Sequence, residues 1–548
     1  MTLKRIIFFI FLISFPASFS LAANYDLEIK EQDVFITGKA VKALTINNQI
    51  PGPTLYFKEG EDAVINVKNS LNEKTSIHWH GILLPGNMDG VPGLNGFEGI
   101  APGQTFTYKF KIRQAGTYWY HSHSNLQEQQ GLYGAIVIEP NRSLYLEGKS
   151  SRCEAQPSSC AAMGVHKDYV IVLSDFTEEN PNRILNNLKI DSGYYNYRKR
   201  TVMTFFEDAK KNGFSATLQD YLSWGEMRMD PTDLSDVSKY HFLINGKTAE
   251  QNWSAIFKKN ERVKLRFINA AAMTIFDVSI PGLKMKFVEA DGQPIKPVIG
   301  DEFRIAPAET YDVIIEPAEE KAYTIFAESL DRLGYALGTI APPSPHSASL
   351  RDDSLPLNRG NITKPLSPIE IPKMRPRTML TMADMMMEGM DMSEMKSGWA
   401  DAGTPFGHKA LQYSDLVSLL PQKDLRQPTR EIELRFGGSM NRYIWTINGE
   451  QFPAPIKLKF GERVRLKFVN ETMMAHPVHL HGMFMQLENG HEMKWLPSKH
   501  TIILPPAQSA TALLTADEEG EWAFHCHLLY HMASGMMSNV VVEKKLHE

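Results

Sequence analysis

Residues 520–536 read Gly520-Glu521-Trp522-Ala523-Phe524-His525-Cys526-His527-Leu528-Leu529-Tyr530-His531-Met532-Ala533-Ser534-Gly535-Met536. One thiol, three imidazoles and a thioether converge there, on Cys526, His525, His527, His531 and Met536. A Cys thiolate, His nitrogens and a weak axial Met form the donor set of a blue-copper electron-transfer site. Successive side chains of a strand point to opposite faces. If Cys526 faces one copper, His525 and His527 face away from it and serve other metal ions. The thiolate is then joined to a second centre through its two chain neighbours, an arrangement suited to passing electrons between sites. A structural zinc site made from Cys and His is the alternative, but a closed tetrahedral site has no use for the opposed histidines.

The chain repeats itself, and the repeats carry the histidines. Gly60-Glu61 precedes His78-Trp79-His80-Gly81 by the same spacing that separates Gly461-Glu462 from His479-Leu480-His481-Gly482. Gly116-Thr-Tyr-Trp-Tyr-His121-Ser-His123 aligns without gaps on Gly520-Glu-Trp-Ala-Phe-His525-Cys-His527. His78, His80, His121 and His123 thus match His479, His481, His525 and His527, and eight imidazoles from two pseudo-equivalent domains suit a shared metal cluster at their interface. Where the last copy has His476, Cys526, His531 and Met536, the first has Thr75, Ser122, Gln127 and Leu132, so only the C-terminal copy can build the blue site. In a middle copy Asn260-Glu261 and Asn269 keep the register, but Val278 and Ile280 replace the histidines, as expected of a copper-free spacer. Ten of the 17 histidines fall inside these motifs, which makes chance a poor explanation. His166, His241, His346, His408, His491, His500 and His547 keep the ordinary reading of core or surface residues.

At 548 residues the chain suits about three domains rather than one core. Residues 1–22 carry Lys4 and Arg5, an apolar run and Ser20-Leu21-Ala22, the pattern of a cleaved secretory signal whose apolar run is too short to span a bilayer. In an exported protein Cys153 and Cys160 are expected to form a disulfide, with two inert thiols as the alternative. A net charge of −5 with interspersed acids and bases gives no nucleic-acid face and no basic membrane face. Alternating runs such as Ala63-Val-Ile-Asn-Val-Lys, Val263-Lys-Leu-Arg-Phe-Ile and Val464-Arg-Leu-Lys-Phe-Val recur in the three copies and read as half-buried strands. The fold class is therefore all-β, with three Greek-key β-sandwich domains. Residues 23–145 form the first, 146–341 the second and 426–548 the third, with a linker over 342–425. Residues 178–238 lack strand alternation; short helices fit there, with an insertion or packing element as the default role.

Within the linker, residues 379–395 hold Met379, Met382, Met385, Met386, Met387, Met390, Met392 and Met395 among four acids. Soft thioethers select Cu(I). Met also fills irregular cores, but a core segment rarely combines this density with Asp384, Glu388, Asp391 and Glu394. Met473, Met474, Met483 and Met485 flank the ligand motifs, as an ion route or as packing.

The four motifs and the triple repeat together resemble the three-domain multicopper oxidases, and among them the exported copper-resistance oxidases. The resemblance implies cupredoxin-like domains and four copper ions. It places a type 1 copper at His476, Cys526, His531 and Met536, and a type 2 copper at His78 and His479. It also implies a type 3 pair on His80, His121 and His527 and on His123, His481 and His525. One-electron oxidation of a donor at the type 1 site then feeds four-electron reduction of dioxygen to water at the trinuclear cluster, with Cys526 as the conduit. Asp89, in Met88-Asp-Gly-Val-Pro, matches a family carboxylate that supplies protons; an ordinary turn Asp is the alternative. Members often carry an acid just after the last type 1 His, where this chain has Met532. The implied partners are dioxygen, Cu(I) or a phenol as reductant, and other exported copper-handling proteins. The implied location is the periplasm, although Lys4-Arg5 departs from the twin-arginine signal common in copper-resistance relatives. A phenol-oxidising laccase and a copper-sequestering binding protein are the competing functional classes.

Overall fold

A computed structural model describes residues 23–141, 164–195, 201–226, 234–343, 371–375, 404–405, 407–439 and 442–543. The signal segment, Cys153 and Cys160, and the methionine-rich stretch 379–395 lie outside the described residues. The chain folds mostly as β-structure, in three units of two facing sheets.

In each unit the first strand pairs in parallel with the alternating strand noted above: Ala23–Val34 with Asp62–Asn69, Lys167–Phe176 with Val263–Asn269, and Arg430–Ser439 with Arg463–Asn470. The alternation has its expected consequence, since Arg463–Asn470 turns Val464, Leu466 and Phe468 into the core and leaves Arg465, Lys467 and Val469 half-buried. The second sheet of each unit carries the histidine positions. His78–His80 pairs with Gly116–His121, and His476–Leu480 with Gly520–Cys526, placing His78 opposite His121 and His479 opposite His525. The corresponding middle strand Phe276–Ser279 contributes buried Val278, with Ile280 buried just beyond it.

A repeated asparagine fixes the loop into each of these strands. The Asn69 side chain donates to Glu73 O and Ile100 O and accepts from Leu71 N. Asn269 does the same with Thr274 O, Ile305 O and Ala271 N, and Asn470 with Met474 O, Leu504 O and Thr472 N. Each such bond contributes about 1 kcal/mol, and each keeps a buried backbone group from being orphaned.

Residues 178–238 hold helices Pro181–Ile190, Val202–Asn212 and Phe214–Glu226. The first is capped by the Asn180 side chain and starts with Pro181, and the second by a Thr201–Thr204 capping box. Part of the expected linker is built into the second unit: Ala410–Leu411 adds a strand beside Glu302–Ile305, and Arg375 reaches Glu328, Glu302 and Asp277. No helix among the described residues is long and apolar enough to cross a membrane.

Candidate metal centres

Cys526 ends its strand fully buried, and its Sγ faces His476 Nδ1 at 3.6 Å and His531 Nδ1 at 3.9 Å. The two Nδ1 atoms are 3.2 Å apart, so three donor atoms converge on one point. Met536 is buried beside them, and its carbonyl accepts from the Cys526 N–H. Both rings are held from behind. His476 Nε2 lies 2.7 Å from Thr472 Oγ1, and His531 Nε2 lies 2.7 Å from Asp236 Oδ2, while Trp445 stacks on His531 at 3.8 Å. Burial pushes the Cys526 thiol well up, so metal-free protein keeps it protonated, whereas a coordinated thiol is deprotonated outright.

On the opposite face of the strand, His525 and His527 join the imidazoles of the first unit. His80, His121 and His527 form one group of converging nitrogens and His123, His481 and His525 another, each within 4.8 Å of one another. His78 groups in the same way with His479 and His481. Most of these rings have Nδ1 settled by an oxygen. His78 lies 2.9 Å from Asp89 O, His479 2.7 Å from His500 O, His525 3.1 Å from Cys526 O, and His481 2.8 Å from Asp89 Oδ2. The other nitrogen is left for a metal, the usual arrangement for ligating histidines. Buried Nε2 atoms of His78, His80, His121, His479 and His527 have no hydrogen-bond partner. Orphaned buried polar groups cost about 1–3 kcal/mol each, so this concentration fits a set of metal donors and fits no packed polar core. Burial, reinforced mainly by neighbouring imidazoles, holds His80, His121, His123, His476, His479, His481 and His527 well below the ordinary histidine range. Burial brings His525 to about 4. Those eight rings are therefore neutral and free to ligate at neutral pH.

The first unit's counterpart of the blue site is a closed polar network. Thr75 Oγ1 and Ser122 Oγ both donate to Gln127 Oε1, at 2.7 and 2.9 Å, and the Gln127 amide donates to Glu73 Oε1 and Lys74 O. These hydroxyls and this amide bond one another in place of the thiolate and imidazoles of the blue site.

Asp89 bridges the rings of His78 and His481 from the cluster's edge, with its Oδ1 3.2 Å from His78 Nδ1. Three further residues at these centres were not legible as such. Asp236 arrives on His531 from the helical stretch 178–238, 295 positions away in the chain, and nothing local marks it. Glu128 sits 2.8 Å from His121 Nδ1, a buried carboxyl contributed by the first unit. Burial and the nearby Asp175 hold Glu128 well above the usual carboxylate range. His500, read as an ordinary core or surface residue, is buried and stands against His80 and His479 in a group of converging nitrogens. Met474, Met483 and Met485 belong to the hydrophobic core, which favours packing for those three.

Residues 28–143, 167–343 and 425–545 each match a family described as multicopper oxidase. Copper resistance protein A of Escherichia coli is 43% identical, over 97% of this chain and 94% of its own. The copper resistance protein A homolog of Pseudomonas syringae pv. tomato is 42% identical, over 95% and 92%. Among solved structures, a laccase from Botrytis aclada superposes with a TM-score of 0.65 at 21% identity, covering 95% of this chain and 87% of that one.

Proposed function

This chain belongs to the multicopper oxidase family, and from that premise we propose that it is a cuprous oxidase of copper resistance, with dioxygen as the electron acceptor. The observation that carries the reading is the two-faced strand: Cys526 turns to His476 and His531 while His525 and His527 turn to the histidine cluster. His476, Cys526, His531 and Met536 would hold a type 1 copper, and His78 and His479 a type 2 copper. His80, His121 and His527, and His123, His481 and His525, would hold a type 3 pair. Bound copper supplies the one-electron redox chemistry and the site of dioxygen reduction.

The chain's own residues do the rest. The backbone of residues 525–527 makes a covalent link of minimal length between the two centres, so electron flow needs no diffusing carrier. Asp89 orients His78 and His481 and is a carboxylate placed to pass protons at the cluster. Glu128 orients His121. Asp236 and Thr472 fix the Nε2 nitrogens of His531 and His476, which leaves each Nδ1 facing Cys526 Sγ.

Cuprous ion as the donor is supported by the names of the two copper resistance relatives and by the thioether density of residues 379–395. The signal-like residues 1–22 support export to the periplasm, where other exported copper-handling proteins would meet it. The deciding experiment measures oxygen uptake by copper-loaded protein with Cu(I) or a phenol as sole donor. Uptake with Cu(I) that falls much more than phenol oxidation when the methionines of 379–395 become leucines supports the proposal. Uptake with phenols alone makes the protein a laccase, and copper retention without uptake makes it a binding protein.

A further inference from the structure

Among the described residues, buried imidazole nitrogens without a hydrogen-bond partner occur on His78, His80, His121, His479, His527 and His500. The first five belong to the eight cluster histidines of the repeat; His500 does not, and the family's ligand pattern gives it no part. Its ring is 1% exposed. Nδ1 is accounted for by Thr501 Oγ1 at 3.0 Å and by the Asp291 carboxylate at 3.7 Å. Nε2 remains, and it falls with the donor nitrogens of His80 and His479 in one group spanning no more than 4.8 Å. The ring meets both neighbours edge-on, with centroids 4.8 Å from His80 and 5.4 Å from His479.

The surroundings are built to hold that ring. Asp291, from the second unit, accepts from the backbone N–H of His500 and of Thr501 at 3.2 and 3.1 Å, and from Lys499 Nζ at 3.0 Å. The first unit leaves room for it: a Cβ on Gly81 would stand 2.6 Å from His500 Cδ2 and 2.8 Å from Nε2. The glycine that closes the His78-Trp79-His80-Gly81 motif is thus required by His500 as well as by its own positive φ of 80°. An apolar side chain would fill this space without an orphaned nitrogen, so an imidazole here fits a donor role.

We propose that His500 is a ninth imidazole of the trinuclear centre, its Nε2 a donor to the copper ion that His479 binds. The inference rests on the copper-centre reading above and adds one ligand to it. Copper-loaded wild type and His500→Ala are compared by electron paramagnetic resonance of the type 2 copper and by retention of that copper against a chelator. In the wild type, three nitrogens couple to the type 2 copper. In the variant two remain, retention falls at least about tenfold, and added imidazole restores the third coupling. Blue absorption, carried by Cys526, reports whether the variant is folded; if it is lost, His500→Gln replaces alanine in the same comparison. Two coupled nitrogens in both proteins with equal retention would overturn the proposal and make His500 a packing residue. Wild type that takes up no cluster copper would instead overturn the copper-centre reading itself.

Discussion

Replacing Asp236 tests how the second unit acts on the blue site. Its Oδ2 accepts from Tyr443 OH and faces His531 Nε2, both at 2.7 Å, and the side chain is buried. In Asp236→Asn the amide oxygen can occupy the Oδ2 position and accept both bonds, so geometry survives and the charge is lost. Asp236→Ala strands two buried donors, each at about 1–3 kcal/mol. The alanine variant should therefore lose about 2–6 kcal/mol of unfolding free energy, and the asparagine variant far less. The charge acts on the centre itself. The carboxylate lies across the imidazole ring from His531 Nδ1, which faces Cys526 Sγ at 3.9 Å. Over about 5 Å at an effective dielectric of about 20, a unit charge contributes at most about 3 kcal/mol, equivalent to roughly 0.1 V. Since a carboxylate favours the more positive, oxidised state, Asp236→Asn should raise the reduction potential of the blue centre by up to about 0.1 V. The assay is a redox titration on the blue absorption of copper-loaded wild type and both variants, with thermal unfolding alongside. An unchanged potential in the asparagine variant, together with wild-type stability in the alanine variant, would refute the reasoning.

Cys526→Ser should abolish blue absorption and steady-state oxidation while the type 2 copper signal persists, because the cluster histidines are untouched; persisting blue absorption would end the type 1 assignment. Asp89→Asn should leave reduction of the blue centre at its normal rate and slow reoxidation by dioxygen, read by stopped flow, since an amide holds the hydrogen bonds but delivers no protons. Gly81→Ala should lower copper content at the cluster, measured by metal analysis, because its Cβ would collide with the His500 ring. Metal-free protein should lose stability as pH falls from 6.5 towards 4, because burial holds folded His525 and His500 at about 4 while the unfolded chain takes up protons first. The slope is about 1.4 kcal/mol per pH unit for each such histidine, and a melting temperature flat across that window would count against neutral buried rings.

The linear chain by itself determined the all-β class, the three-fold repeat and the separation of two donor sets on one strand. Those features are local: alternation decides which face a strand residue takes, and His525-Cys526-His527 obeys it whatever the rest of the chain does. Register did the same for the eight cluster histidines, because two copies with equal spacing must present their imidazoles from equivalent strands. Only the tertiary structure decided what comes from a distance. Asp236, Glu128 and His500 lie in no motif of the repeat; packing between units brings Asp236 to His531 and His500 to His80, and the fold of the first unit turns Glu128 back onto His121. The position just after the last blue-site histidine is Met532, not an acid, while the buried carboxyl of Glu128 stands beside His121. His500 carries no periodic mark either: its environment is made by Gly81 from one unit and Asp291 from another. Strand periodicity encodes the direction of a side chain, and only the docking of sheets against one another decides what that side chain meets.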